Sequence, residues 1–147
     1  MKLVALFAGC LVVCAAVGVA HADPDPKRKV VVLEYRASSS ALPGIANKVV
    51  AALGTQTSLQ LLGPDQARAV FGDHLEQAIV RCMGGAECIA KIGARLGAQE
   101  VLLIGISELG DVILTMQRID VATHTVEARI ADSLASGAAP DQDHLGY

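Results

Sequence analysis

The chain has 147 residues, 52% of them hydrophobic and only 3% aromatic, and its formal net charge is −3 at pH 7. This length suits a single domain with a sizeable hydrophobic core. The chain has no basic block, which argues against nucleic-acid binding. Its scarcity of aromatic side chains argues against recognition of sugars or bases by stacking.

The first 22 residues have the pattern of an export signal. Lys2 is the only charge before Asp23, and an almost unbroken apolar run ends at Ala20, with small residues at positions −3 and −1 of a cleavage site after Ala22. We expect a signal peptide over residues 1–22, cleaved between Ala22 and Asp23. The exported chain then has 125 residues and a net charge of −4, because Lys2 is removed.

A transmembrane anchor and a lipoprotein are the alternatives for this segment. The apolar run of about 18 residues approaches the length of a membrane-spanning helix, although the cleavage site favours removal, which leaves no membrane span. Cys10 follows Leu6-Phe7-Ala8-Gly9, a stretch that resembles a lipobox, and lipidation there would make the protein a lipid-anchored envelope factor. Only about seven apolar residues would then precede Cys10, the short limit of a signal core.

The mature chain is typical of one α/β domain. Apolar β-branched runs predict central strands covered on both faces, helical spacing of apolar residues predicts the helices, and Gly110-Asp111 indicates a hairpin. The expected order is β-α-β-α-α-β-β-β, a single domain at 30–132 with a five-stranded mixed sheet and helical crossovers. It lies between a flexible leader at 23–29 and a disordered tail at 133–147. The expected strands are 30–35, 59–62, 101–106, 112–121 and 125–131, and the expected helices are 43–53, 64–82 and 88–96.

The helical stretch at 64–82 carries two finer expectations. Its spacing places Val70 and Val80 on the buried face. Asp73 has the position of a helix N-cap, with Glu76 three residues later as in a capping box.

Cys82 and Cys88 are the only cysteines left after the signal is removed, and they flank a Gly-Gly turn. In an exported chain this pattern favours a structural disulfide, since Gly84 and Gly85 let the backbone fold back far enough. A redox pair is an alternative, because Cys88 opens a helix that would favour its thiolate. A zinc site is another, with His74 as the only histidine nearby.

The last strand has the pattern of a sheet edge. Val126, Ala128 and Ile130 alternate with Glu127 and Arg129, which predicts one half-buried face and one solvated face. Such an edge can accept a strand from a partner protein by β-augmentation. These five residues are the candidate partner-binding site, and the alternative is that the C-terminal tail shields the same edge.

No residue pattern demands an enzyme. The chain has no glycine-rich phosphate loop and no Gly-x-Ser-x-Gly motif around Ser38-Ser39-Ser40. The acidic residues are scattered rather than paired for acid–base work, and the histidines outside the signal have solvated or capping positions. We therefore expect no catalytic residue, no resident metal and no cofactor.

Residues 88–98, 101–106, 109–111 and 117–121 form a pattern that resembles the TolB amino-terminal domain, as found in exported proteins of the myxobacterial type. The resemblance implies an α/β domain similar to the anticodon-binding-domain fold, a Gram-negative periplasm, and a disulfide between Cys82 and Cys88. It implies no catalytic residues. It extends over about 30–136.

The leading functional hypothesis is a non-enzymatic periplasmic domain that binds envelope proteins, in envelope assembly or transport. A thiol redox or small-ligand-binding protein that uses Cys82 and Cys88 is the alternative from another class. A lipid-anchored envelope factor through Cys10 is the third. The expected partners are proteins and not nucleic acid.

Overall fold

The computed structural model describes residues 27–135. The predicted signal peptide with its cleavage site at Ala22 and Asp23, the alternative lipidation site Cys10, and the chain after residue 135 lie outside this range. No helix in the described part is long and apolar enough to cross a membrane. The described elements are β1 (Lys29–Ala37), α1 (Ile45–Gln56), β2 (Gln60–Leu62), α2 (Pro64–Phe71), α3 (Leu75–Cys82), α4 (Ala86–Arg95), β3 (Glu100–Leu109), β4 (Asp111–Asp120) and β5 (Thr125–Leu134).

The strands form one mixed sheet in the order β2-β1-β3-β4-β5. β1 runs parallel to β2 and β3, and β3, β4 and β5 continue as an antiparallel meander. Parallel strands need crossover connections, which α1 and the α2–α4 series supply, whereas the antiparallel strands are joined by short turns. The predicted fold class, a single α/β domain with a five-stranded mixed sheet, is confirmed.

Two hydrophobic clusters lie on opposite faces of the sheet, because β1 and β3 are apolar at nearly every position. Val30 and Val32 belong to the cluster under α1, and Val31 and Leu33 to the cluster under α2, α3 and α4. Each of these four side chains is at most 2% exposed. Successive side chains of a strand point to opposite faces, so a continuous apolar run supplies both clusters at once.

The helical stretch predicted at 64–82 is two helices. Gly72 ends α2 with a φ of 108°, a conformation that other residues rarely adopt, and α3 begins only at Leu75. His74 is the N-cap of α3, and it makes no side-chain capping hydrogen bond. The predicted cap at Asp73 is therefore wrong.

The predicted burial of Val70 and Val80 is also wrong, since they are 62% and 52% exposed. The break between the two helices resets the helical phase. Ala67 is the buried residue of α2, and Leu75 and Ile79 lie on the buried line of α3. Val70 and Val80 lie next to the buried face of their helices rather than on it.

β5 is longer than predicted. It runs to Leu134, three residues past the expected end at residue 131. Leu134 is 8% exposed and lies opposite Val112, so the strand includes the first two residues that the sequence assigned to the tail. The strand continues to Leu134 because this side chain packs in the cluster under α1.

α4 approaches the sheet closely at Gly93. A Cβ at this position would lie 2.5 Å from Val101 Cγ2 and 2.9 Å from Val121 Cγ2, closer than atoms approach in a packed core. The absence of a side chain at Gly93 therefore sets how near this helix lies to the sheet.

Gly93→Ala should destabilise the domain by about 1–3 kcal/mol, because the added methyl group overpacks a filled core. Gly54→Ala is the matched control. Gly54 also lies within a helix, but a Cβ there would meet only Leu61 Cδ1 at 3.9 Å, so helix propensity should make this variant about 1 kcal/mol more stable. Urea denaturation measures both free energies of unfolding. Equal effects of the two substitutions would contradict the close approach at Gly93.

Candidate functional site

The predicted partner-binding strand, β5, lies at one end of the sheet. It pairs with β4 along its length, and no other strand among residues 27–135 lies on its outer side. Most of its residues are exposed, including the large apolar side chains of Val126 and Ile130, which are 38% and 43% exposed. An open strand edge of this length is a site at which a second strand can pair.

The outward-facing peptide groups of β5 follow from the hydrogen-bond ladder. Val121 N–H donates to the Gln99 carbonyl at 3.0 Å. The N–H and C=O groups of odd-numbered residues of β4 therefore point to β3, and those of even-numbered residues point to β5. In the regular part of the β4–β5 ladder, even-numbered residues lie opposite even-numbered residues. The N–H and C=O groups of Arg129 and Ala131 therefore point to the open edge.

A β-bulge interrupts β5 at Glu127. Arg118 lies opposite Ala128 and Ile119 lies opposite Val126, so Glu127 has no residue opposite it on β4. One extra residue moves the side chains beyond it to the other face of the sheet. The predicted alternation, with Val126 and Ala128 on one face, is wrong. Val126 lies opposite Ile119, a member of the cluster under α2, α3 and α4, and shares its face, whereas Ala128 lies opposite Arg118 and shares the other face.

Ion pairs tie the bulge to the middle of the sheet. The Arg118 guanidinium lies 3.0 Å from a Glu127 carboxylate oxygen and 3.7 Å from a carboxylate oxygen of Glu100 on β3. Arg28 approaches Glu100 at 3.1 Å and Asp120 at 3.6 Å. The series Glu127–Arg118–Glu100 thus spans β5, β4 and β3, and it supports the register of the edge strand.

Glu100 is the most buried carboxyl of this cluster, at 9% exposed. Burial raises its pKa above the ordinary value, although the nearby Arg118 and Arg28 guanidinium groups act in the opposite direction. The Arg28 and Arg118 guanidinium groups lie beside this carboxyl, which is the arrangement of a structural ion-pair cluster.

A disulfide joins Cys82 and Cys88, with 5.4 Å between their Cα atoms. Met83 and Gly84 adopt φ values of 47° and 74°, and Gly85 N–H donates to the Cys82 carbonyl at 2.8 Å, so the chain reverses between the two helices. Cys82 is buried at the end of α3, and Cys88 is exposed in the first turn of α4. The bond therefore closes the corner between α3 and α4.

The remaining polar candidates lie apart from one another. His74 and His124 are exposed, one at the start of α3 and the other in the turn before β5. Ser39 is buried: its hydroxyl oxygen accepts the Ala41 N–H at 3.1 Å, and the hydroxyl donates to a Glu108 carboxylate at 3.2 Å. No group of three or more His, Cys, Asp or Glu side chains in the described part could hold a metal ion.

Sequence reasoning missed a second feature, which lies at the carboxyl end of β1. Arg36 pairs with Glu34 and donates to the carbonyls of Ala41 and Leu42, while Glu34 accepts the Ala46 N–H at the start of α1. These contacts hold the β1–α1 loop beside a cavity of about 290 Å³. The available signal was two charges at the end of an otherwise apolar strand.

Comparison with known proteins establishes the fold and no closer relationship. No protein-family model matches the chain, and no characterised protein matches it in sequence. Among solved structures, the LpoB C-terminal domain from Salmonella enterica has a TM-score of 0.53 at 17% identity, covering 74% of this chain and 82% of that one. Lipoprotein GNA1162 from Neisseria meningitidis has a TM-score of 0.52 at 16% identity, covering 78% of this chain and 86% of that one.

The matched structures support the expected fold more broadly than the resemblance drawn from the sequence. The NMR structure of E. coli LpoB also shares the fold, with a TM-score of 0.53 at 18% identity, covering 74% of this chain and 56% of that one. The fold is therefore shared with LpoB and with lipoprotein GNA1162, and is not specifically that of the TolB amino-terminal domain.

Reduction of the disulfide should lower the free energy of unfolding by about 2.4 kcal/mol, the chain-entropy value for closing a loop of about seven residues. Urea denaturation with and without reductant measures the change. Cys88→Ser, at the exposed end of the bond, is the control and should show no effect of reductant. A wild-type midpoint that is the same under both conditions would contradict a stabilising bond.

Glu100→Gln should gain stability relative to wild type as the pH rises from 4 to 7. Because the folded state raises the pKa of Glu100, it holds this proton more tightly than the unfolded chain does, so the wild type loses stability as pH rises through the interval between the two pKa values. Glutamine does not titrate.

Glu87→Gln is the matched control for this pH series. Lys91 lowers the pKa of the exposed Glu87 carboxyl, so this variant should lose stability relative to wild type as the pH rises. Denaturation at several pH values measures both trends, and trends of the same sign would contradict the assignment for Glu100.

Proposed function

We propose that this protein is a non-enzymatic interaction domain of the cell envelope, which binds an extended segment of a partner protein along β5. The open edge of this strand carries the proposal, since the peptide groups of Arg129 and Ala131 face outward and Ile130 is exposed beside them. Main-chain hydrogen bonds at such an edge supply affinity, and the flanking side chains supply specificity.

Charge and irregularity make this edge selective. Glu127 and Arg129 are charged, and the bulge at Glu127 bends the strand, two devices that hinder indiscriminate pairing of strand edges. A fitting partner strand therefore starts in the regular part of β5, after the bulge, and places an acidic residue beside Arg129. This restricts the partners to segments with a complementary pattern.

Three features support an envelope location, in the periplasm of a Gram-negative bacterium. The first 22 residues have the pattern of an export signal, a disulfide suits an oxidising compartment, and the fold is shared with LpoB and with a lipoprotein, GNA1162. The intact mass of the protein isolated from its host distinguishes cleavage after Ala22 from a lipid-anchored form modified at Cys10.

Thiol redox activity is the second candidate, because Cys88 is exposed in the first turn of α4, where a helix N-terminus favours a thiolate. The reduction potential of the Cys82–Cys88 bond decides between the two roles. A value below about −300 mV belongs to a structural bond, and a value near about −200 mV to a redox pair.

A photo-crosslinking amino acid at position 131 should form adducts with an envelope protein in the native host. The same group in place of Gln56, which is exposed at the far end of α1, should not. The expectation follows from the outward direction of the peptide group at Ala131, and immunoblotting for shifted bands measures it.

Ala131→Pro should abolish these adducts when the crosslinker is placed at Arg129. Proline removes an outward N–H but no bond to β4, and sheet edges tolerate it. Ala131→Ser keeps the N–H and is the matched control. Adducts of equal yield from the two variants, with unchanged circular dichroism, would refute the proposed role of β5.

A further inference from the structure

β1 has an open edge of its own, on the side of β2. β2 pairs only with Lys29, Val30 and Val31, whereas β1 continues to Ala37. Beyond Val31, no strand among residues 27–135 lies against this side of β1, over a length of about 20 Å at the usual rise per residue.

The peptide groups of Glu34 and Arg36 face this open side. The Arg28 carbonyl accepts the Gln60 N–H from β2 at 3.0 Å. Because successive peptide groups of a strand point to opposite edges, the peptide groups of even-numbered residues of β1 point to the β2 side. The pairing of β1 with β3 shows no register shift. The alternation therefore continues past the end of β2.

A cavity of about 290 Å³ lies along this part of the edge. The start of α1 bounds it on one face of the sheet, at Ala46 and Asn47, and α2 and α3 bound it on the other, at Leu75 and Ile79 among others. The cavity therefore occupies the layer of the sheet itself, at the position where a longer β2 would lie.

We propose that this cavity, the β1 slot, binds a short extended segment of a partner protein that carries an aliphatic residue and a basic residue. The segment pairs with the peptide groups of Glu34 and Arg36 and continues the line of β2. The slot lies at the opposite margin of the sheet from β5, so this proposal stands independently of the one made for β5.

Apolar side chains on the α2–α3 side of the slot favour an aliphatic residue in the bound segment. Leu33, Leu75 and Ile79 form this wall, and each is at most 3% exposed. Val80 also lines the slot, but it is 52% exposed. An aliphatic side chain of the bound segment would contact this wall and remove Val80 from water, which favours binding.

The charges around the slot favour a basic residue in the bound segment. Arg36 matches Glu34, but the Arg68 guanidinium is shared by two carboxylates, Asp65 at 3.2 Å and Glu76. The lining thus has three carboxylates and two guanidinium groups. A lysine or arginine in the bound segment balances this excess of negative charge.

A fluorescein-labelled octapeptide tests the proposal, with valine and threonine alternating between two terminal lysines. It should bind the purified mature protein, as measured by fluorescence anisotropy, and shift the backbone amide resonances of Glu34 and Arg36. A peptide with proline at its centre should lose binding, because it lacks a backbone donor. Glu76→Lys should weaken binding about fivefold, and Glu87→Lys, a matched reversal on α4 outside the slot, should leave it unchanged.

Ala131→Pro distinguishes the two open edges, because the peptide should still bind the β1 slot in that variant. Three results would overturn the proposal: no binding at millimolar protein, equal binding of the proline peptide, or binding that Ala131→Pro abolishes and Glu76→Lys leaves intact. The last of these would place the peptide on β5 and would leave the proposed function of that strand standing.

Discussion

The parallel ladder between β1 and β3 is what the rest of the domain depends on, because both hydrophobic clusters are built on it. It runs from Val30 opposite Glu100 to Ala37 opposite Ser107. Its apolar residues point alternately to the two faces, so α1 packs on one side and α2, α3 and α4 on the other. Burial is therefore concentrated at the centre of the sheet, and the strands at its margins can be incomplete without exposing that centre.

The two margins are incomplete in different ways. β2 has three residues and leaves β1 unpaired on that side from Val32 to Ala37, whereas β5 has its full length but carries a bulge. Charged side chains lie at both places, Glu34 and Arg36 on β1 and Glu127 and Arg129 on β5. Such charges keep an unpaired edge from aggregating, and they also limit which segments can pair there. Each margin thus combines an available backbone with a charge pattern that selects its partner.

Features that depend on local pattern could be predicted from the sequence. The continuous apolar runs gave both central strands and hence the fold class, and the Gly-Gly turn indicated how Cys82 and Cys88 could approach. Features that depend on non-local packing could not. The presence of a glycine at position 72 does not predict its φ of 108°, and the bulge at Glu127 exists only in the register of β5 against β4. The slot beside β1 likewise depends on where β2 stops, which neither strand's own pattern specifies.

The sheet has two open backbone edges, at which the peptide groups of Glu34 and Arg36 on β1 and those of Arg129 and Ala131 on β5 face outward. Residue-resolved amide hydrogen exchange of the free protein, followed by NMR, tests this arrangement. We expect alternation: the amides of Glu34 and Arg36 exchange at least about tenfold faster than those of Leu33 and Tyr35, which bond to β3, and those of Arg129 and Ala131 exchange faster than that of Ile130. Uniform protection along either strand would show that its outer edge is already paired, and would contradict the arrangement.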